Sequence, residues 1–364
     1  MNRIKQLDSI RAIAILLVMM HHTPLGLVTD FLSMYPLGAN VFFVLSGFLI
    51  TGILLRAQKN IASGASKFTV FRNFILSRAF RIFPLYFLTL LFLLLTGSGD
   101  KSSFIYLFTF TSNFYFYSIG EWDHATAHLW SISVQEQFYF LWPWVILLCS
   151  RRYLPHVFSL FIVAGIVSHF FTGFSEFGTI LTTDCFDSLG MGALLAWIVN
   201  DRPLMLEKAY RFIRAAGIAS IIILLLFIVT GIPFVLKRTL VSVLAAWLIA
   251  AVMYRDKLGT ANRMLLLNSK ALSFVGKISF GLYLFHPLVP VYTKEPLDWL
   301  INSRLPASLD SYRVFFLVAE NLVILILVAW LLWRFIEKPF MSLKKYLPVK
   351  KEELALQPAP IQAS

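Results

Sequence analysis

Long, uninterrupted apolar runs constrain this chain more than any other feature. A helix crossing the hydrocarbon core of a bilayer needs about 20 predominantly apolar residues. The 364-residue sequence offers ten candidates: 9–27, 37–55, 82–96, 129–149, 157–174, 186–200, 213–231, 240–254, 273–291 and 314–333. The runs are continuous rather than alternating, which predicts helices and not a barrel, because in lipid every backbone N–H and C=O must be satisfied within its own element. Composition agrees. Hydrophobic residues make up 58% and charged residues 14%, with a mean hydropathy of +0.75; soluble domains are about 45–50% apolar and about 25% charged. So little polar surface excludes a soluble globule, a disulfide scaffold and a disordered regulator as readings of the whole chain. The expectation is an all-α membrane bundle of about ten transmembrane helices over residues 1–340. The polar, then Pro- and Ala-rich segment 341–364 is expected to be a disordered cytoplasmic tail.

The net charge of +13 suggests an anionic partner, but its placement answers to the bilayer. The run at 104–117 is aromatic-rich, short and interrupted by Thr109, Thr111, Ser112 and Asn113. If it does not cross, 26 of the 32 basic residues fall on one side, which by the positive-inside rule is the cytoplasm, with both termini there. Lys101, Lys237, Arg238, Lys294, Arg304 and Arg313 are then the outer ones. The segment is therefore read as re-entrant or interfacial, and no nucleic-acid partner is expected. The basic start and apolar stretch at 2–20 resemble a signal peptide, but no small-residue cleavage site precedes His21, His22, Thr23 and Pro24; the segment reads as a retained first span. Cys149 and Cys185 belong near opposite faces and should not pair.

Ionisable residues inside spans are costly and are candidates for function: His21, His22, Glu136, Asp187, Lys277, His286 and Glu320. Arg11 and His22 are eleven residues apart, about 20° beyond three full turns, so they share a helix face with His22 roughly 16 Å further along; His21 points about 100° away. The second span carries Asn40, Ser46, Gly47, Thr51 and Gly52, whose small residues permit close helix approach. Glu136 stands among Ser133, Gln135, Gln137 and Tyr139, too polar a stretch to face lipid. Pro287 should end or bend the helix at His286. Arg78 and Arg81, at the start of the third run, share a face at i, i+3, and such forks match phosphate oxygens bidentately. Any one of these features alone is met by packing, interhelical pairing or interfacial anchoring. As a set they suit a phosphate-bearing donor inside and an acceptor outside. His124 and His128 have i, i+4 spacing with no third ligand evident, so no metal is expected.

The same residues carry a family likeness. The segments LDSIRAIAILLVMMHH (7–22), NVFFVLSGFLITG (40–52), RAFRIFPLYF (78–87), HLWSISVQEQFYFLWP (128–143), FDSLGMGALLA (186–196), GKISFGLYLFHP (276–287) and RFIEKPF (334–340) together resemble the acyltransferase-3 family of bacterial membrane O-acyltransferases. The resemblance implies a ten-helix enzyme of the bacterial cytoplasmic (inner) membrane. It would move an acyl group, usually acetyl, from cytoplasmic acetyl-CoA to a hydroxyl of a surface glycan or glycolipid such as lipopolysaccharide, exopolysaccharide or peptidoglycan. The family's Arg-x10-His element falls on Arg11 and His22, its Arg-x-x-Arg element on Arg78 and Arg81, and its Ser-Gly-Phe-Leu element on Ser46 to Leu49. Two positions depart. Gln135 stands where Glu is common, and Cys185 stands two residues before Asp187 where an arginine is frequent. Some members carry a C-terminal SGNH hydrolase-like domain, for which this sequence ends too soon.

The mechanism expected has Arg78 and Arg81, with Arg11 beside them, holding the nucleotide phosphates of acyl-CoA near Ser46. His22 acts either as general base toward the acceptor hydroxyl or as an acyl carrier. Glu136 orients or charge-balances His22, and Asn40, Trp130 and His286 line the acceptor site. The rival reading is a secondary transporter or flippase using Glu136, Asp187 and Glu320 as a proton path, although repeat symmetry and paired broken helices are not evident.

Overall fold

The computed structural model describes residues 4–22, 37–62, 64–123, 125–172, 177–230, 235–293 and 313–347. Regular structure among them is entirely helical. In chain order the helices are α1 (Lys5–His21), α2 (Leu37–Ala62), α3 (Lys67–Leu95), the short α4 (Phe104–Phe108) and α5 (Ser112–Ile119), α6 (Trp130–Leu148), α7 (Leu154–Thr172), α8 (Phe186–Asp201), α9 (Leu206–Thr230), α10 (Lys237–Lys257), α11 (Lys270–Lys277), α12 (Ser279–Phe285) and α13 (Arg313–Leu332). After α13 a π-helical turn, Trp333–Glu337, leads into α14 (Lys338–Ser342).

Each of the ten apolar runs contains helix where described, but among the described residues six helical stretches are long and apolar enough to cross a membrane: Leu37–Lys59, Lys67–Leu95, Leu154–Thr172, Pro203–Thr230, Lys237–Lys257 and Val314–Tyr346. The other four runs differ for physical reasons. Helix α1 has 17 described residues and α8 has 16. Helix α6 is diluted by Ser131, Ser133, Gln135, Glu136 and Gln137. The ninth run is broken at Ile278 and again at His286–Pro287, where the bend expected from Pro287 occurs. These four carry most of the polar candidates. The apolar helices around them turn large side chains outward, among them Leu91, Phe171, Val229 and Val323.

Two boundaries and one charge differ from the sequence reading. Helix α3 begins at Lys67, so Arg78 and Arg81 lie in the middle of a 29-residue helix, not at its start. Hydropathy registers where lipid begins, whereas Arg72, Arg78 and Arg81 interrupt the apolar run without interrupting the helix. The helical chain also continues to Tyr346, past the boundary read at 340, while 348–364 lie outside the described residues. Arg238, counted among the outer charges, is buried.

The 104–117 segment is a pair of helices of five and eight residues, neither of crossing length. Phe110, at φ 54°, turns the chain between them. Side chains of α6 pin the turn: Gln137 Nε2 donates to the Phe110 carbonyl at 2.7 Å and to Asn113 Oδ1 at 2.9 Å, and the Ser112 and Ser133 hydroxyls are 2.8 Å apart.

Glycine sets the spacing at the centre. A Cβ on Gly47 of α2 would lie 2.1 Å from the Leu189 carbonyl oxygen of α8, and one on Gly192 of α8 would lie 2.1 Å from that of Val44. Two backbones therefore touch where side chains would hold them apart. Gly190, two residues from Gly192 and on the other side of α8, receives Ile162 of α7, so α8 is wedged between α2 and α7.

Beside this wedge lies a buried polar network. His169 of α7 sits between Asp184 (3.2 Å) and Asp187 (3.4 Å), and Thr239 of α10 donates to Asp187 at 2.6 Å. The Arg238 guanidinium donates to Asn40 Oδ1 of α2 at 3.1 and 3.0 Å and to the Thr179 carbonyl. With these partners the charges remain desolvated without being orphaned. Both cysteines are free.

Replacing Gly47 or Gly192 by Leu should destabilise the bundle by about 1–3 kcal/mol or more, because the added atoms meet backbone that cannot rotate away. Gly52 is the control: its nearest neighbour, Arg56 Nη1, is 3.5 Å from an added Cβ, so Gly52→Ala should be near neutral. Thermal unfolding of the three variants in one detergent checks the contrast.

Candidate active site

Four helices and the broken ninth run converge on one open cavity, whose space together with the solvent at its mouth is about 850 Å³. Its polar lining comprises Arg11 from α1, Ser46 from α2, Arg78 and Arg81 from α3, Ser131, Gln135 and Tyr139 from α6, and Ser279 and Tyr283 from α12. Ala39, Phe42, Leu45, Leu49, Ile50, Ile82, Ile132 and Phe280 supply apolar wall. The lining includes three guanidiniums and no carboxylate. Arg11 has its own counter-ion, Asp8 Oδ1 at 2.6 Å one turn earlier. The Ser46 and Tyr139 hydroxyls are 3.3 Å apart, and Tyr139 donates to Gln135 Oε1 at 3.3 Å. Such a lining suits an anion with several oxygens.

Arg11 lies in the first half of α1 and His22 at its C-terminal cap. Arg11 lines the cavity, and His22, which caps the helix, packs against His286 with ring centroids 4.9 Å apart. His286 in turn lies 5.3 Å from His128. Tyr283 joins this cluster to the cavity. It lines the cavity wall, and its ring stands 5.6 Å from His128 and 5.7 Å from His286. Its hydroxyl is 2.7 Å from Ser131 Oγ and donates to the His128 carbonyl. The His21 side chain and His124 lie outside the described residues, and no group of three metal-ligating side chains occurs among those described.

Several candidates are not where the sequence put them. Asn40 is buried, its side chain held by Arg238 and the Arg238 carbonyl, so it does not line the cavity. Trp130 is buried between Phe43, 6.0 Å away, and the Arg238 guanidinium, 5.9 Å from its ring, and offers no free face. Glu136 feels the charge of Arg78, and its buried Oε1 accepts no hydrogen bond among the described residues. Gln135, not its neighbour Glu136, faces the cavity, because successive residues of a helix point about 100° apart. Asp187 is held by Thr239, Ser188 and His169 and is no open proton path.

Sequence reasoning gave Tyr283 no role, weighed His128 only as a metal ligand and counted Arg238 among the outer charges. His128 heads the 128–143 motif, and Tyr283 lies three residues before His286, so spacing carried a signal for both. Nothing in the sequence linked Arg238 to residues 40, 179 and 185. Where the resemblance leads one to expect an arginine ahead of Asp187, the Arg238 guanidinium arrives from α10, 3.4 Å from Cys185 Sγ.

The chain is similar to a putative peptidoglycan O-acetyltransferase, YrhL, of Bacillus subtilis (strain 168), at 29% identity over 92% of this chain and 54% of the relative. It is also similar to the O-acetyltransferase OatA of Staphylococcus aureus (strain MRSA252), at 27% identity over 96% of this chain and 60% of the relative. The chain thus spans between half and two thirds of the length of these relatives. No solved structure matches it. The acyltransferase domain model matches residues 4–334, a stretch that contains the arginine-lined cavity and the histidine cluster, and the chain belongs to this acyltransferase-3 family.

Proposed function

We propose that the protein is a multi-pass membrane O-acyltransferase that moves an acyl group, acetyl by preference, from acyl-CoA to a hydroxyl of a cell-surface glycan of the bacterial inner membrane's outer side. The observation that carries this reading is the cavity lined by Arg11, Arg78 and Arg81, which shares Tyr283 and Ser131 with the cluster containing His22. The arginines and Ser46 hold the phosphates of the donor. The thioester reaches toward the histidines, and the acceptor comes to His22 from the opposite side. His22 takes the hydroxyl proton as the oxygen attacks the thioester carbon. The C–S bond then breaks, and the imidazolium returns the proton to the departing CoA thiolate. The relatives named for peptidoglycan make a glycan of that class the first acceptor to test.

All ten apolar runs cross in this reading, with both ends of the chain in the cytoplasm. The burial of Arg238 supports that orientation, because it removes a cation from the outer surface and sharpens the basic bias. Single cysteines at Ser98 and Ala125, on either side of the α4–α5 hairpin, should both be labelled from outside the cell by an impermeant maleimide. Opposite sidedness would sink the ten-span model.

Incubating membranes with labelled acetyl-CoA and a peptidoglycan fragment should move label to the fragment. In purified protein, Arg81→Ala should weaken acetyl-CoA binding by roughly one to two orders of magnitude, as expected for a lost charge-assisted contact of about 1.5–3 kcal/mol. His22→Ala should spare donor binding and lower turnover by about 10²–10⁴-fold. Measured side by side, loss of donor binding in His22→Ala, or full turnover in it, overturns this division of labour.

A further inference from the structure

Two histidines next to His22 are held in defined states by the backbone. His286 Nδ1 lies 2.7 Å from the Tyr283 carbonyl oxygen, and His128 Nε2 lies 3.1 Å from that of Leu284. A carbonyl oxygen only accepts, so each of these nitrogens carries the proton. A neutral imidazole has one N–H. The remaining nitrogens, His286 Nε2 and His128 Nδ1, are therefore lone pairs, and both are buried without a hydrogen-bond partner among the described residues. Burying an acceptor in that condition costs free energy that a donor within reach recovers. The third imidazole of the cluster is such a donor. The His22 and His286 rings are tilted by 53° with centroids 4.9 Å apart, close enough for a rotation of the His22 imidazole to bring an N–H to His286 Nε2.

We propose that His286 is a positioning residue for His22. Its Nε2 accepts the N–H of the His22 imidazole, which fixes the tautomer and plane of His22 so that the other nitrogen presents its lone pair to the acceptor hydroxyl. His128, packed 5.3 Å from the His286 ring, backs that ring and, being also a lone-pair holder, offers Nε2 no competing proton. This inference rests on His22 acting as the base. It moves His286 from the acceptor-lining role expected from the sequence to one behind the catalytic imidazole.

The two nitrogens of His286 can be separated by substitution. In Asn, the amide reaches the Nδ1 position and keeps a donor for the Tyr283 carbonyl. In Gln, the amide oxygen reaches the Nε2 position and keeps the acceptor for His22. His286→Gln should retain turnover within a few-fold, and His286→Asn should lose about 10–100-fold in kcat, the range of one lost hydrogen bond. Acetyl-CoA binding and thermal stability in detergent should be alike in both. Activity in the Asn variant with loss in the Gln variant would show that only the bond to Tyr283 matters and would overturn the proposal, as would equal activity in the two. His22→Ala is measured in parallel. If it keeps turnover, the base assignment itself fails. If it is inactive while the Gln and Asn variants rank in reverse, only the role of His286 fails.

Discussion

Three guanidiniums sharing one cavity inside an apolar bundle repel one another, and much of this fold can be understood as the means of holding them there. At an effective dielectric near 20, like charges a few ångströms apart oppose each other by several kcal/mol. Asp8 offsets Arg11, and Glu136 acts on Arg78 from outside the lining. The cavity stays open and edged by hydroxyls and an amide instead of closing into dry packing. A polyanion entering it relieves the repulsion, so ligand affinity and bundle stability are linked. Gln135 contributes an amide, and the lining holds no acid of its own.

The division of the helices follows from the same constraint. A polar side chain is tolerated at membrane depth only where protein or water surrounds it. The helices that carry Arg11, Gln135, Asp187 and His286 are therefore short, broken or diluted with polar residues, and they need an apolar shell. Helices α7, α9 and α13 supply that shell. At the centre, the glycine contacts between α2 and α8 place backbone against backbone, which holds the ends of these helices in register where Arg238 bridges Asn40, Thr179 and Cys185.

The local sequence determined a good deal. It specified helices at ten positions, because apolar runs in lipid have no other way to satisfy their backbone. It specified the shared face of Arg11 and His22, the pairing of Arg78 with Arg81 at i, i+3, the break at Pro287 and the exclusion of the 104–117 segment from the spans, because each is a matter of helical periodicity, proline geometry or length. The family motifs picked out four of the nine polar residues that line the cavity, Arg11, Ser46, Arg78 and Arg81.

Tertiary structure decided which side of each polar helix faces the cavity, and with that which residues are available. Asn40 and Trp130 were consumed by Arg238, a residue 198 positions from Asn40 in sequence. Gln135 displaced its neighbour Glu136 from the lining, and Tyr283 became the wall common to cavity and histidines. Periodicity orients residues relative to their own helix, but the rotation of one helix against another is set by contacts such as Gly47 on Leu189. That rotation is a property of the packed bundle, and no single segment contains it.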